Sequence, residues 1–253
     1  MAVTRIEFER ELNKLLKPDL FSDYCPNGLQ VEGQAEISRL VTGVTASQAL
    51  IEAAIAEQAD AILVHHGYFW KGESQTVTGI KKNRIVKLLQ NNISLFAYHL
   101  PLDVHEELGN NVQLARLLGI EIEGSIYKQN NFPLVLRGRL TQPMTRDEFG
   151  DYVGGVLSRK PVVVPGTSER IETIAWCTGA GQGFIDIAAA AGVDAYLTGE
   201  ISEPTTHVAR ESGMNFFAAG HHATERYGVQ AVGLRMAELF PIEHQFIDID
   251  NPA

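Results

Sequence analysis

Four of the eight histidines stand as two adjacent pairs, His65-His66 and His221-His222, and acidic residues follow at short spacings. His65 and His66 close the apolar run Ala61-Ile62-Leu63-Val64. Asp103 lies four residues past His99, and Glu225 four past His221. Imidazole nitrogens and carboxylate oxygens are the donors that borderline divalent cations accept. Three imidazoles and two carboxylates suffice for two such ions if one carboxylate bridges. His65, His66, Asp103, His221 and Glu225 are the predicted set, and Zn²⁺, Mn²⁺, Fe²⁺ and Ni²⁺ all accept it. Two dications outweigh two carboxylates, and that surplus would stabilise a hydroxide at neutral pH, which is hydrolytic chemistry.

Each piece alone has a structural explanation. Adjacent histidines occur hydrogen-bonded in cores, an Asp after a strand forms turns or caps, and a His–Glu pair can sit on a helix surface. Their coincidence at the ends of apolar strands favours ligation.

The elements that must position these residues follow a βαβ grammar. Leu40–Val44, Ala61–Val64 and Ile93–Ala97 read as buried strands. Ser47–Ala59 reads as an Ala-rich helix and Asn111–Leu118 as another. Pro101 excludes a helix interior at His99–Asp103, so Asp103 should leave its strand on a turn. Successive strand residues point to opposite faces, so an ideal strand would not aim His65 and His66 at one ion. A helix beginning at His221 or His222 would bring His221 and Glu225 onto one face. The pattern Val229, Val232, Leu234, Met236 and Leu239 continues that helix.

The second half repeats the first. Thr145-Arg-Asp-Glu-Phe149 echoes Thr4-Arg-Ile-Glu-Phe8, each with a capping-box signature. Gln48, Ile51, Asp60, Ala61 and Leu63 match Gln182, Ile185, Asp194, Ala195 and Leu197 at a constant offset of 134. His99-Leu-Pro-Leu-Asp103 matches His221-His-Ala-Thr-Glu225 at an offset of 122. The reading is an internal duplication: two similar α/β domains, residues 1–130 and 131–253, sharing a metal site in the cleft between them. The joint falls near Tyr127–Pro133, where Gln, Asn, Asn and Pro interrupt the pattern.

A net charge of −10 argues against broad electrostatic capture of nucleic acid or anionic membrane. Two cysteines without a CxxC exclude a disulfide framework and fit a reducing compartment. Phe8, Leu12, Leu15 and Leu16 form one helical stripe rather than a signal peptide, and no run reaches membrane-spanning length, so a cytoplasmic protein is expected.

Around the predicted ligands, Tyr68-Phe69-Trp70-Lys71-Gly72-Glu73 forms an aromatic loop that could stack a flat ring or serve as a packing anchor. Glu73 and His99 are the expected proton carriers. Glu200 stands at the repeat position of His66, as a lost ligand or a residue behind one. Gly179-Ala-Gly-Gln-Gly183 is a Gly-rich strand-to-helix turn and a weak nucleotide signal.

Pro26-Asn-Gly-Leu-Gln30, Val64-His-His-Gly67 with Phe69-Trp-Lys-Gly-Glu73, His99-Leu-Pro-Leu-Asp103 with Gly109-Asn-Asn111, and Gly220-His-His-Ala-Thr-Glu225 resemble the YbgI-like, Nif-three-related family. The resemblance runs nearly end to end, and members carry the name GTP cyclohydrolase 1 type 2 homologue. It implies a dinuclear centre with His65, His66, Asp103, His221 and Glu225 as ligands, Glu225 bridging. It also implies two similar α/β domains and a toroidal homohexamer. Leu100-Pro101 replaces the Thr-Asn found in many members.

The expected function is metal-dependent hydrolysis of a small polar substrate, a purine nucleotide such as GTP, opened by a metal-bound hydroxide. The alternative is a ring-shaped regulatory or interaction protein whose metals do not turn over substrate.

Overall fold

The computed structural model describes residues 2–253 as two compact units. Met1–Leu108 and Gly228–Asp250 form the first, Gly109–Tyr227 and Asn251–Ala253 the second. Both are mixed α/β, and each is built on one mixed sheet.

The first unit's sheet has the order Glu243–Phe246, Arg39–Thr45, Ala61–His66, Ser94–Ala97, Gly28–Val31. The first four strands run parallel and Gly28–Val31 closes the edge antiparallel. The central strands are mostly apolar because helices cover both faces. Leu40, Leu63 and Phe96 pack with Phe8, Leu12, Val229, Val232 and Met236. Val41, Ile62, Val64 and Leu95 point the other way, onto Leu50, Ile51, Ala54 and Leu88. This alternation between two cores is the period-2 geometry of a strand buried on both sides.

Helix ends follow local chemistry. Thr4 caps Arg5–Leu16 by accepting from the Glu7 amide, and Ser47 caps Gln48–Ala56 through the Leu50 amide. The stripe Phe8, Leu12, Leu16 is buried as the periodicity predicts. In His221–Leu239, Val229, Val232 and Met236 are buried, whereas Leu234 and Leu239 are exposed.

The second unit's sheet has the order Ile120–Gln129, Phe132–Thr145, Arg170–Cys177, Ala195–Thr198, Asn215–Ala218, Val162–Val164. Its three strands from Arg170 to Ala218 are parallel, and the others pair antiparallel. Trp176, Leu197 and Phe217 form its core with Phe149, Val153 and Leu114.

The stretch Gln129–Phe132, read from sequence as the joint between halves, is the turn of a hairpin within this sheet. Asn130 and Asn131 have φ of 50° and 69°, the left-handed pair that a two-residue hairpin turn demands and that Asn tolerates. The compact units accordingly part at Leu108/Gly109 rather than at 130/131.

One device occurs in both units. Asp60 Oδ2 accepts from the amides of Ser38 and Arg39 at 2.7 and 2.9 Å. Asp194 Oδ2 accepts from those of Glu172 and Thr173 at 3.1 and 2.8 Å. Each carboxylate ties the start of one parallel strand to the residue before its neighbour.

Candidate metal centre

In the first unit, His65 and His66 are the last two residues of the parallel strand Ala61–His66, at its carboxyl end. His65 is fully buried. Its Nδ1 lies 3.0 Å from the Tyr98 carbonyl, which can only accept, so Nδ1 carries the proton and Nε2 a lone pair in the neutral ring. That Nε2 faces Oδ1 of Asp103 at 3.4 Å. Two lone pairs at this range repel unless a cation stands between them, either a proton or a metal.

Asp103 is 7 % exposed. It ends a single helical turn, Leu100–Asp103, whose Pro101 sits in the first turn, where a missing N–H costs nothing. Helix and proline are compatible here because the helix stops after one turn.

Strand alternation does not separate the two histidines. Their ring centroids are 4.4 Å apart, and donor atoms of His65, His66 and His99 lie within 4.8 Å of one another. His66 Nδ1 approaches Thr45 Oγ1 at 3.2 Å.

His99 is held by a residue that the sequence reading missed. Its Nδ1 lies 2.7 Å from Oδ1 of Asp23, whose side chain is 2 % exposed. Asp23 Oδ2 also accepts from Asn27 Nδ2 and from the Leu100 amide, both at 2.9 Å. Asn27 Oδ1 accepts from the His99 amide at 2.7 Å. Burial works to raise the Asp23 pKa, but its bonds to His99, Asn27 and Tyr24 outweigh that and hold it below the usual value. The Pro26-Asn27-Gly28 turn thereby serves a purpose: it docks a carboxylate behind His99. The only local hint is Asp23 four residues before Asn27.

The aromatic loop is anchored. Tyr68 is buried, its hydroxyl donating to the Ala46 carbonyl at 2.7 Å, so its ring is closed to a ligand. Trp70 Nε1 donates to the Gly67 carbonyl, and the indole meets His99 edge-on with centroids 4.9 Å apart. Phe69 is exposed and has φ of 65°. Glu73 pairs with Lys81 at 3.0 Å and accepts from the Trp70 amide at 3.1 Å. Desolvation pushes its pKa up, but these partners leave it lowered.

In the second unit, His221 opens the helix His221–Leu239 just past the parallel strand Asn215–Ala218. The helical start puts Glu225 one turn on, and its Oε2 lies 3.1 Å from His221 Nε2. The other ring nitrogen, Nδ1, lies 2.7 Å from Oε1 of Glu200, whose Oε2 accepts from Gln182 Nε2 at 3.0 Å. Glu200 therefore stands behind His221, as one of the two sequence readings has it. Burial opposes charge on His221, yet Glu225 and Glu200 prevail and raise its pKa to about 9.

Glu225 is 3 % exposed. Gly179 has φ of +65°, and a methyl group on it would overlap the Glu225 carboxylate and come 3.2 Å from His221 Nε2. The Gly-rich turn after Arg170–Cys177 is thus explained by backbone packed against the His221–Glu225 pair. Thr224 secures this corner by accepting from the Gly179 amide at 3.0 Å.

The donor chemistry fits divalent metal: two buried carboxylates, Asp103 and Glu225, each face an imidazole whose other nitrogen is already bonded. Fold and donors together define the class, a mixed α/β protein with buried histidine–carboxylate clusters of metal-binding type at the carboxyl ends of parallel strands. A family model described as Duf34/NIF3 (NGG1p interacting factor 3) matches residues 3–252. The chain belongs to this family.

Among curated relatives, it is 56 % identical to a "GTP cyclohydrolase 1 type 2 homolog" of Pseudomonas aeruginosa, covering 100 % of both chains. It is 52 % identical to the protein of the same name in Escherichia coli, over 98 % of each. Among solved structures, "protein ybgI, unknown function" superposes with a TM-score of 0.95 at 51 % identity, over 99 % of this chain and 100 % of that one. A Thermus thermophilus structure gives 0.89 at 32 % identity, again over 99 % and 100 %. No helix among the described residues is long and apolar enough to cross a membrane.

Proposed function

We propose that the chain holds two divalent metal ions through His65, His66, Asp103, His221 and Glu225, and hydrolyses a small polar substrate of the purine nucleotide class, such as GTP. The observation that carries this reading is His65, fully buried and fixed as a donor to the Tyr98 carbonyl, turning Nε2 toward the Asp103 carboxylate at 3.4 Å. A buried carboxylate facing an acceptor nitrogen is a place where a cation would be favoured. The name shared by the curated relatives is consistent with cyclohydrolase chemistry.

Bound metal supplies a water nucleophile at neutral pH and polarises the attacked group. The chain's own residues orient and move protons. Tyr98 fixes the tautomer of His65, and Glu200 that of His221. Of the two expected proton carriers, we assign the task to His99. Asp23 holds its Nδ1, which leaves Nε2 to accept or release a proton. Glu73, paired with Lys81, secures the loop that sets Trp70 against His99. We further read the paired Asp60 and Asp194 devices as the mark of an internal duplication, and the assembly as a toroidal homohexamer. Sedimentation tests the latter.

The second reading is a metal-binding interaction protein without turnover, which the words "interacting factor" in the family's description favour. Metal content per chain by plasma mass spectrometry, on the parent and on a variant carrying His221→Ala and Glu225→Ala, tests the first step. About two ions per parent chain, lost in the variant, support the centre. GTP consumption with product identification then separates the two readings. A parent that stays metal-free after reconstitution sinks the hydrolase.

A further inference from the structure

Among the Phe, Tyr and Trp side chains described, two are exposed, Tyr24 at 54 % and Phe69 at 37 %. Both belong to the first unit, on two loops that meet at His99. Large apolar residues scattered singly over a surface need no explanation, but exposed rings confined to one pair of loops mark a place for a partner.

The two loops are tied together. The Tyr24 carbonyl accepts from the Lys71 amide at 2.6 Å. Gln30 spans both loops: its Oε1 accepts from the Tyr68 amide at 2.7 Å, and its Nε2 donates to the Tyr68 and Pro26 carbonyls at 3.1 and 2.8 Å. Phe69, with φ of 65°, holds a left-handed backbone that is a costly exception for a bulky residue. At this kink the aromatic run divides. Tyr68 is buried, Trp70 turns onto His99, and Phe69 stays outside with the Lys81 ammonium 5.6 Å from its ring centroid.

The Tyr24 ring stands edge-on to His99, with centroids 6.3 Å apart, and Trp70 does the same at 4.9 Å. His99 in turn lies 5.0 and 5.8 Å from the rings of His65 and His66. A line of rings therefore runs from an exposed tyrosine inward to two of the predicted metal donors. Because that line ends on the donors, its occupant is the molecule handled there. An exposed aromatic face suits a flat heterocycle, since every nucleobase offers a π-face to stack.

We propose that Tyr24 is the platform on which the purine base of the substrate stacks, with Trp70 and His99 beside it. The inference rests on the metal-hydrolase reading, which supplies the purine substrate. It adds that the base, rather than the phosphate end, lies next to the donors of the first unit, and it makes Tyr24 a specificity-determining residue.

The chain has two tryptophans, and Trp176 is fully buried in the core of the second unit, so Trp70 is the accessible reporter. The test is quenching of tryptophan emission in the zinc-loaded protein by guanosine monophosphate, with ribose 5-phosphate as the ligand that lacks a base. The proteins are the parent, Tyr24→Leu, Tyr24→Phe and Trp70→Phe, with plasma mass spectrometry, circular dichroism and sedimentation alongside. The nucleotide is expected to quench and the sugar phosphate to leave emission unchanged. Tyr24→Leu should weaken nucleotide binding by about tenfold, Tyr24→Phe should retain it, and Trp70→Phe should lose the signal, with metal per chain unchanged in the two Tyr24 variants. Equal quenching by the two ligands overturns the proposal, as does equal nucleotide affinity in the parent and Tyr24→Leu. Tyr24→Phe falling as far as Tyr24→Leu assigns the contact to the hydroxyl and overturns stacking. A changed sedimentation mass in Tyr24→Leu with unaltered nucleotide affinity assigns the ring to contacts between copies, and overturns it too. If the parent takes up no metal, the hydrolase reading fails by itself. The nucleotide titrated into that metal-free protein still decides Tyr24, upheld by weaker binding in Tyr24→Leu and overturned by equal binding or by none.

Discussion

The Nε2 of His65 faces Oδ1 of Asp103 across 3.4 Å, with the opposite ring nitrogen committed to a backbone carbonyl. The pair suits the cation of the proposed metal centre. With metal bound, Asp103→Asn removes a ligand and should lower the melting temperature and the metal content. In chelator-treated protein no metal bond is lost, so the same change should cost less stability. Melting curves of both proteins with and without chelator give the difference. A variant equally destabilising in both states would make Asp103 structural.

His221 predicts a pH dependence. Its pKa in the folded chain is raised to about 9 by Glu225 and Glu200 against the pull of burial, from 6.5 ordinarily. A raised histidine stabilises fully below its unfolded value and loses that contribution as pH climbs through the folded one. Metal-free protein should thus lose stability between about pH 6.5 and 9, and His221→Gln should flatten the slope. Because metal must displace this proton, affinity for Zn²⁺ should strengthen over the same window. Denaturant titrations of metal-free protein and competitive chelator assays read the two effects.

In the hydrolase proposed above, Asp23 would act through His99, whose Nδ1 it holds. Asp23→Asn can still occupy the turn but loses the carboxylate that orients the Nδ1–H of His99. Turnover should fall about 10- to 100-fold with metal content unchanged, the scale seen when a group behind a functional histidine is removed. Nitrogen-15 chemical shifts of the imidazole should show mixed tautomers in the variant. Unchanged shifts would remove Asp23 from any positioning role.

Gly179→Ala combines two penalties, a left-handed backbone and a methyl group driven into the Glu225 carboxylate. A stability loss of roughly 1–3 kcal/mol is expected from the backbone strain alone. Displacing Glu225 should also cut metal loading. Gly183→Ala, where a methyl group meets nothing within 4 Å, is the control and should do neither. Equal metal content in the two variants would separate the Gly-rich turn from the centre.

How much of this was legible beforehand depends on the range of the interaction. Strands, helices and their caps are set by neighbours a few residues apart, so alternation and periodicity located Ala61–His66, Gln48–Ala56 and Arg5–Leu16 to within a residue or three at each end. His221 and Glu225 were readable as a pair because one helical turn joins them. The hairpin at Asn130-Asn131 misled, since turn chemistry looks the same inside a sheet as between domains.

The sequence by itself determined the donor types, their place at strand ends and the α/β class. Only the tertiary structure decided what surrounds each donor. Asp23 reaches His99 across 76 positions, and Glu200 reaches His221 across 21. Which backbone passes close enough to lend a carboxylate, a carbonyl or a bare glycine depends on packing the whole sheet, and no local pattern encodes it.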